Sequence, residues 1–555
     1  MKFNKMPVKL NPTYTVFIGI ILTTFIISSC NDSPPVPDRP NIVLIFADDL
    51  GYGDFSCYGA SKIKTPNIDK LAANGIRFTD AHVTSSLCSP SRYSFLTGRY
   101  PWRTRLKSGV LGGFAPPLIE EGRTTLASML NANGYYTAGI GKWHLGFNWA
   151  LKDSVPRDPG ISEDDFWRSV RSDHIDFSKP IKGGPIERGF DYFFGIAGSN
   201  GMRPHAFIEN ENVTMEPSVP DNFSQRTSGL RGPDWDLRNL DRVLTEKAVA
   251  VIDNHFSKES NSPFFLYYPT SAVHPPWLPE FTKGQSEAGM RGDKVIEFDW
   301  IVGELVKALE KHNSLENTLI IITSDNGPHP GDEVRMVERY KNKSFGDEFD
   351  YYQPYFGDYQ PEYLGVYNEE KGWLTYDHKT NAGFLGFKSD AWEGGLRVPF
   401  VVHWPKKIKG GFVNSNVISS VDLLATMADI TGTELREEEG EDSYSFLTNL
   451  LDNDAPQVRK SLIMAAGRTG ALVLRSGDWK YIEGANPLIW DTTQYYRPNN
   501  YPNAPSFMQS QLYNLKDDLF ERNDLIDSIP EKASELEAIV SLVKQNKRIE
   551  GNEVK

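Results

Sequence analysis

Cysteine is nearly absent from this chain: three residues in 555, at positions 30, 57 and 88, so no framework of disulfides organises it. Positive charge is in deficit, with 59 Lys and Arg against 73 Asp and Glu and a formal charge of −14. That balance excludes a general nucleic-acid binder and obliges any anionic substrate to find a local basic pocket. No apolar run spans a bilayer comfortably, since Val16 to Ile27 falls short of the roughly 20 residues a transmembrane helix needs. Internal repeats are missing as well. What remains is an apolar fraction of 39%, enough for a large core and, at roughly 150 residues per domain, for two or three structural units. The aromatic fraction of 12%, with 12 Trp, suits either an aromatic-rich core or a carbohydrate-binding surface.

The N-terminus reads as a targeting segment. Lys2, Lys5 and Lys9 precede the apolar run, and Ser28, Ser29 and Cys30 follow it, the layout of a secretory signal. Ile-Ser-Ser-Cys resembles a bacterial lipobox, which implies lipidation of Cys30. Residues 1–30 are expected to be a lipoprotein signal peptide and the proline-rich residues 31–39 a tether. The protein is then exported and lipid-anchored to a membrane, in the periplasm or at the cell surface of a bacterium. In that oxidising setting Cys57 and Cys88 form an even pair, so a bridge between them is an open alternative.

From residue 40 onward, short apolar strands alternate with amphipathic helices. Ile42–Phe46, YYTAGIGKWHLG, PFFLYYPTSAVHPPW and NTLIIITSDNGPH have strand character, and residues 68–74, 125–133 and 244–255 show helical spacing. This predicts an α/β fold, a large and mostly parallel sheet flanked by helices. Ligands of such sheets bind beyond the C-terminal strand ends. Here those ends carry Asp48 and Asp49, Lys142 and His144, His274, and Asp325 and Asn326. The acidic stretch LREEEGEDS near residues 435–443 reads as a solvated linker or loop. Beyond it SLIMAAG, GALVLRSG, DWKYIEG and QLYNL read as strands, and residues 531–547 as a closing helix. The expected division is a catalytic α/β domain at 40–440 and an α+β subdomain at 441–555. Long insertions at 150–240 and 333–380, the latter holding YYQPYFGDYQPEYLGVY, build binding sites or small elements of their own.

Asp48, Asp49, Asp325 and Asn326 are all oxygen donors. Three carboxylates converging on one point repel one another without a cation, and an all-oxygen set favours Ca²⁺ or Mg²⁺ over zinc. Taken singly, each Asp pair could be a turn, each lysine a solvated surface group and each histidine structural. Jointly, Lys142, Lys388, an arginine and a divalent cation describe a clamp for a tetrahedral oxyanion, with His144 and His274 placed for proton transfer. In CSPSRYSFLTGR, Ser89 serves as the predicted N-cap, Pro90 lies in the first turn and Gly98 ends a short helix over residues 91–97. Cys88 stands just before an anion-favouring helix N-terminus, with Arg92 four residues on. The Cys-x3-Arg spacing is not the Cys-x5-Arg of a cysteine-dependent phosphatase.

Cys88-Ser-Pro-Ser-Arg-Tyr-Ser-Phe-Leu-Thr-Gly-Arg99 resembles the C-x-P-S-R-x-x-x-L-T-G-R motif of type I sulfatases, in the alkaline phosphatase superfamily. PNIVLIFADDLG, TPNIDKLAANGIRF, GKWHLG, ITSDNGPH, Lys388 with WEGGLRVP, and LYNLKDDLFERNDL extend the resemblance in family order to about Asp527. It implies that Cys88 is oxidised to Cα-formylglycine by a formylglycine-generating or anaerobic sulfatase-maturating enzyme. The hydrated aldehyde would attack sulfur, and collapse of the resulting ester would release sulfate. It further implies that Asp48, Asp49, Asp325 and Asn326 hold Ca²⁺, which also touches residue 88. Arg92 and His144 would orient the diol, Lys142 and Lys388 neutralise the sulfate, and Asp325 take a proton. His274 is the best candidate to protonate the leaving oxygen. Arg203 and His205 fall where related enzymes often contact the sugar, although a structural loop fits them equally. A sulfated saccharide is the expected substrate. The alternatives are a phosphodiesterase or phosphonate monoester hydrolase of the same superfamily, or a non-catalytic glycan-binding lipoprotein.

Overall fold

The strand Asn41–Ala47 lies at the middle of a ten-stranded sheet in the computed structural model, and its position accounts for its unbroken apolar run. Ile42, Leu44 and Phe46 face one buried cluster, Val43, Ile45 and Ala47 another, so both faces of the sheet are covered. The structure describes residues 1, 39–158, 160–221, 229–258, 262–275, 277–329, 367–368, 373–374, 378–484, 509–545, 549–550 and 553–554. The expected signal, the tether with Cys30 and most of the 333–380 insertion lie outside these residues. Residues 40–555 form one compact unit.

Five neighbouring strands run parallel in the spatial order Thr318–Ser324, Asn41–Ala47, Phe264–Pro269, Tyr136–Lys142 and Tyr192–Ile196. Antiparallel pairings flank them on both sides, through Phe400–His403 and through Ile208–Glu209. The parallel strands bring their C-terminal ends to one edge, and every strand-end residue singled out above ends one of them, as Lys142 does, or follows one. Ser461–Ala465, Leu472–Ser476, Trp479–Ile482 and Gln511–Asn514 form a separate antiparallel sheet, against which the helix Pro530–Lys544 packs. The acidic 435–443 stretch is only partly solvated. Asp442 is buried, accepts from Arg103 at 2.9 Å through both oxygens, and Glu441 accepts from Arg123 at 2.8 Å. Among the described residues no helix is long and apolar enough to cross a membrane.

Two buried charges on the helix Gly289–Lys311 anchor the loops that carry the site. Arg291 binds Asp54 with two bonds of 2.7 Å and donates to the carbonyl of Asp49 at 3.2 Å. Lys294 donates to Asp241 at 2.9 Å, and Asp241 accepts the amides of Ser271 and Ala272, just ahead of His274. Lys294 also donates to Glu297 at 2.6 Å, while Glu297 Oε2 is buried with no partner among the described residues. Burial, reinforced by Asp241, pushes Glu297 up to about 7 against the pull of Lys294. A carboxyl raised in the folded state contributes stability fully below its ordinary range and loses it as pH rises through about 7. Glu297→Gln should therefore flatten the pH dependence of Tm between pH 5 and 8, as measured by thermal melts. An unchanged slope would show that Glu297 is ionised throughout.

Candidate active site

Cys88 opens the helix Cys88–Thr97, whose ten residues are all buried. The expected start at Ser91 with Ser89 as cap is corrected: Leu87 occupies the cap position, and Ser89 Oγ accepts the amide of Leu111 at 3.2 Å. Pro90 is tolerated because the first helical positions need no N–H partner within the helix. Gly98 ends the helix at φ 63°, the left-handed conformation expected of it. Cys57 and Cys88 are both free thiols, which removes the bridge between them.

Around Cys88 the strand ends converge. One ligand atom from each of Asp48, Asp49, Cys88 and Asp325 lies within 4.8 Å of all the others, and Cys88 Sγ stands 3.6 Å from Asp48 Oδ1. Lys142 Nζ donates to Asp48 and Lys388 Nζ to Asp49, each at 2.6 Å. Arg92 binds Asp325 Oδ2 through Nε at 2.9 Å and a terminal nitrogen at 2.7 Å, and donates to the Lys142 carbonyl at 2.8 Å. Asn326 Nδ2 donates to Asp49 at 2.7 Å. Asp49 and His144 adopt positive φ, 62° and 56°, which non-glycine residues hold only where their surroundings enforce it.

The two histidines have fixed orientations. His144 Nε2 lies 2.9 Å from the Leu111 carbonyl and so carries the hydrogen, leaving Nδ1 as a buried acceptor without a partner among the described residues. Burial, Lys142 and Arg92 hold His144 well below its ordinary range, hence neutral. His274 Nδ1 faces two acceptors, the Pro275 carbonyl at 2.6 Å and Asn200 Oδ1 at 3.1 Å, which puts its hydrogen there. Nε2 then points at Asp49, 3.7 Å away. Burial and Lys388 push His274 down to about 4. Burial would raise Asp48, but Lys142, His274 and Arg92 outweigh it and hold the carboxyl well below its usual range. Burial and the Asp48 charge push Asp325 up to about 6 in spite of Arg92; crowded carboxylates cannot all ionise alike. The Cys88 thiol is pushed up to about 12 by burial, with Asp325 and Asp48 adding to it against the two lysines.

These residues fit a hard divalent cation. The donor set is oxygen-rich, and Asn326 Oδ1 is a buried acceptor with no partner among the described residues, left aimed at nothing where amide oxygens are normally satisfied. A second acidic group, Asp80, His82 and Glu393, does not call for a metal. Arg397 pairs with Asp80 and Glu393 at 2.9 and 2.6 Å, and Lys480 with Glu393 and Glu521 at 2.9 and 2.7 Å, which already balances the charge.

Arg203 and His205 take no part in this cluster. His205 is buried, stacked on Trp235 with ring centroids 5.4 Å apart and bonded through Nδ1 to Asp221. That packing accords with the structural-loop alternative for His205. Arg203 is half-buried, its guanidinium so close to Gly229 that a Cβ there would lie 2.2 Å from it. Sequence reading missed Asn200, which follows the strand Tyr192–Ile196 and could have been found by extending the strand-end rule to YFFGIAGSNG.

Comparison with known proteins returns consistent relatives. A protein-family model described as Sulfatase matches residues 40–433. An N-acetylgalactosamine-6-O-sulfatase of Bacteroides thetaiotaomicron is 30% identical over 571 residues, covering 95% of this chain and 97% of its own. Arylsulfatase A of Bos taurus is 31% identical over 524 residues, 91% of this chain and 87% of its own. A solved structure described under the metabolism of multiple glycosaminoglycans by Bacteroides thetaiotaomicron superposes with a TM-score of 0.72 at 29% identity, covering 92% of this chain and 100% of the other. A phosphonate monoester hydrolase of Agrobacterium radiobacter, at 17% identity and a TM-score of 0.51 over 91% and 96% of the two chains, shares the fold.

Proposed function

The chain belongs to the sulfatase family, and from that premise we propose that it releases sulfate from a sulfated saccharide, with residue 88 at the reacting centre. The observation that carries this reading is the placement of Cys88 Sγ among Asp48, Asp49 and Asp325 at a helix N-terminus, between two buried lysines. The saccharide, as opposed to a simple aryl ester, rests on relatives that act on sulfated glycans and on the aromatic composition.

Burial, with Asp325 and Asp48, pushes the Cys88 thiol up against the pull of Lys142 and Lys388, which disfavours the thiolate as the reacting group. Cα-formylglycine at residue 88 would supply an oxygen nucleophile in its place. Asp48, Asp49, Asp325 and Asn326 would hold Ca²⁺, or Mg²⁺ as the weaker candidate, which supplies Lewis acidity when bound. His144 Nδ1, on a neutral ring and without a partner among the described residues, would accept a hydrogen bond from a hydroxyl at residue 88. Arg92 fixes Asp325, the carboxyl that would take the diol proton, through two bonds. Lys142 and Lys388, now spent on carboxylates, are the cations an incoming sulfate would draw on. His274, whose Nε2 stands 3.7 Å from Asp49, would be the group that protonates the leaving oxygen. Protonation there near neutral pH requires the negative charge of bound sulfate to offset Lys388, the cation that helps to keep it low.

Export and anchoring through a lipidated Cys30 complete the proposal, supported by the N-terminal sequence. Mass spectrometry of mature protein tests both modifications, and sulfate release from a panel of sulfated sugars tests the activity. The residue-88 peptide should carry an aldehyde and the N-terminal peptide should begin at a lipidated cysteine. Active protein holding only the residue-88 thiol would refute the mechanism.

A further inference from the structure

The strand Asn41–Ala47 starts at the edge of the large sheet opposite the catalytic one. Its seven residues span about 20 Å at the usual rise of a strand, and its far end delivers Asp48 and Asp49. The strand Phe400–His403 runs the other way, so the loop that follows it, residues 404–411, emerges at the edge where Asn41 begins. Lys406 N donates to the Glu316 carbonyl at 3.0 Å, two residues ahead of Thr318, the partner of Asn41. Gly411 N and Phe412 N donate to the Gly75 carbonyl at 3.0 and 3.2 Å. A Cβ on Gly410 would lie 2.3 Å from the Asn74 backbone, so the loop is seated at both ends. It continues into Phe412–Asn414, the outermost strand of the sheet, where Phe412 lies level with Ile76.

Lys406, Lys407, Lys409, Phe412 and Val413 are all exposed on this loop and strand, Phe412 at 37% and Val413 at 52%. Neither Lys407 nor Lys409 enters an ion pair among the described residues. Nearby acids are engaged elsewhere, Glu310 with Lys70 at 3.6 Å and Asp253 with Lys311 at 3.0 Å. Setting Lys406 against Glu316 still leaves two cations beside two apolar side chains, in a chain whose overall charge is −14. Lysines next to exposed apolar residues make a surface that suits anionic lipid headgroups, the cations meeting phosphate and the apolar groups entering the acyl boundary. The chain itself brings such a surface close. Nine residues separate Cys30 from Pro40, a reach of at most about 35 Å when fully extended. Four strand spacings separate Asn41–Ala47 from Phe412–Asn414, about 20 Å. An acylated Cys30 therefore keeps the membrane within reach of the whole loop, which nothing does for a protein partner.

We propose that Lys406, Lys407 and Lys409 with Phe412 and Val413 form a docking surface for the anionic lipid layer that the acylated N-terminus enters, so that the catalytic edge faces away from the membrane and towards arriving saccharide. The proposal rests on the anchoring at Cys30 and adds an orientation to it. It is tested on the full mature protein in vesicles of phosphatidylcholine alone and of phosphatidylcholine with phosphatidylglycerol, with detergent micelles as the reference. Amide hydrogen exchange, read by mass spectrometry, should be about 10-fold or more slower for peptides covering residues 404–414 in the phosphatidylglycerol vesicles than in micelles. Added salt should reduce that protection by screening the lysines. The double variant K407E/K409E and the single variant F412S should each lose most of it while keeping wild-type Tm and kcat, because these side chains are exposed at the edge away from the site. Equal exchange of the 404–414 peptides in both vesicles and in micelles overturns the docking surface, whether or not the chain is acylated. Protection that grows with protein concentration in micelles assigns the loop to a second copy of the chain and overturns it too. An N-terminal peptide without an acyl chain defeats the anchoring reading, and phosphatidylglycerol-dependent protection in that same protein would uphold the docking surface without it.

Discussion

Cys88→Ala is expected to abolish sulfate release, by about 10⁴-fold or more, while leaving the protein folded. The side chain is buried and hydrogen-bonds only weakly, its Sγ 3.6 Å from Asp48, so its truncation should cost about 1 kcal/mol. Binding of the saccharide should survive, because Lys142, Lys388 and the carboxylates do not depend on the thiol for their pairing. That combination separates the enzyme from a glycan-binding protein of the same fold, for which Ala at 88 would change nothing. It also separates oxygen from sulfur chemistry. Wild-type protein produced without a maturation enzyme keeps the thiol, and its activity should fall close to that of the Ala variant. Turnover by fully unmodified protein at the wild-type rate would sink the formylglycine reading, since that protein holds no aldehyde at residue 88.

The centre of this site was legible in the sequence because a parallel sheet imposes a simple rule. Apolar runs such as Ile42–Phe46 and Leu319–Ile322 mark strands buried on both faces, and the polar groups at or just beyond the strand's end stand at the common edge. Asp48, Lys142 and Asp325 obey it, and so does Asn200, which sequence reading passed over. The helix at Cys88 started earlier than expected because a Ser-Pro pair looks like a cap whether it stands at the cap or inside the first turn. His205 was not legible. Its ring is explained by Asp221 and Trp235, 16 and 30 residues away, and no local pattern announces such packing. The bond from Arg468 to Ser389 joins two turns across 79 positions, and no local pattern announces it.

Asp325→Ala should do the second-largest damage, and through stability as well as rate. Asp325 holds Arg92 by two bonds and accepts the Asp49 amide at 3.3 Å. With the carboxylate gone, Arg92 keeps the Lys142 carbonyl and a 3.8 Å approach to Asp48, too little for a fully buried guanidinium. Removing one member of a buried pair costs about 3–5 kcal/mol, and losing a cation ligand should lower turnover on the order of 10³-fold. Asp325→Asn retains an acceptor for Arg92 and should recover much of the stability without the rate. Ca²⁺ separates the two effects. Chelation of wild-type protein should lower Tm and activity together, and added Ca²⁺ should restore both, since a ligand bound only by the folded state stabilises it by mass action. In both Asp325 variants the Ca²⁺-dependent rise in Tm should vanish or shrink sharply, because a carboxylate supplies charge that an amide does not. If Asp325→Asn still gained the full Ca²⁺-dependent rise, Asp325 would be the partner of Arg92 and not a holder of the ion.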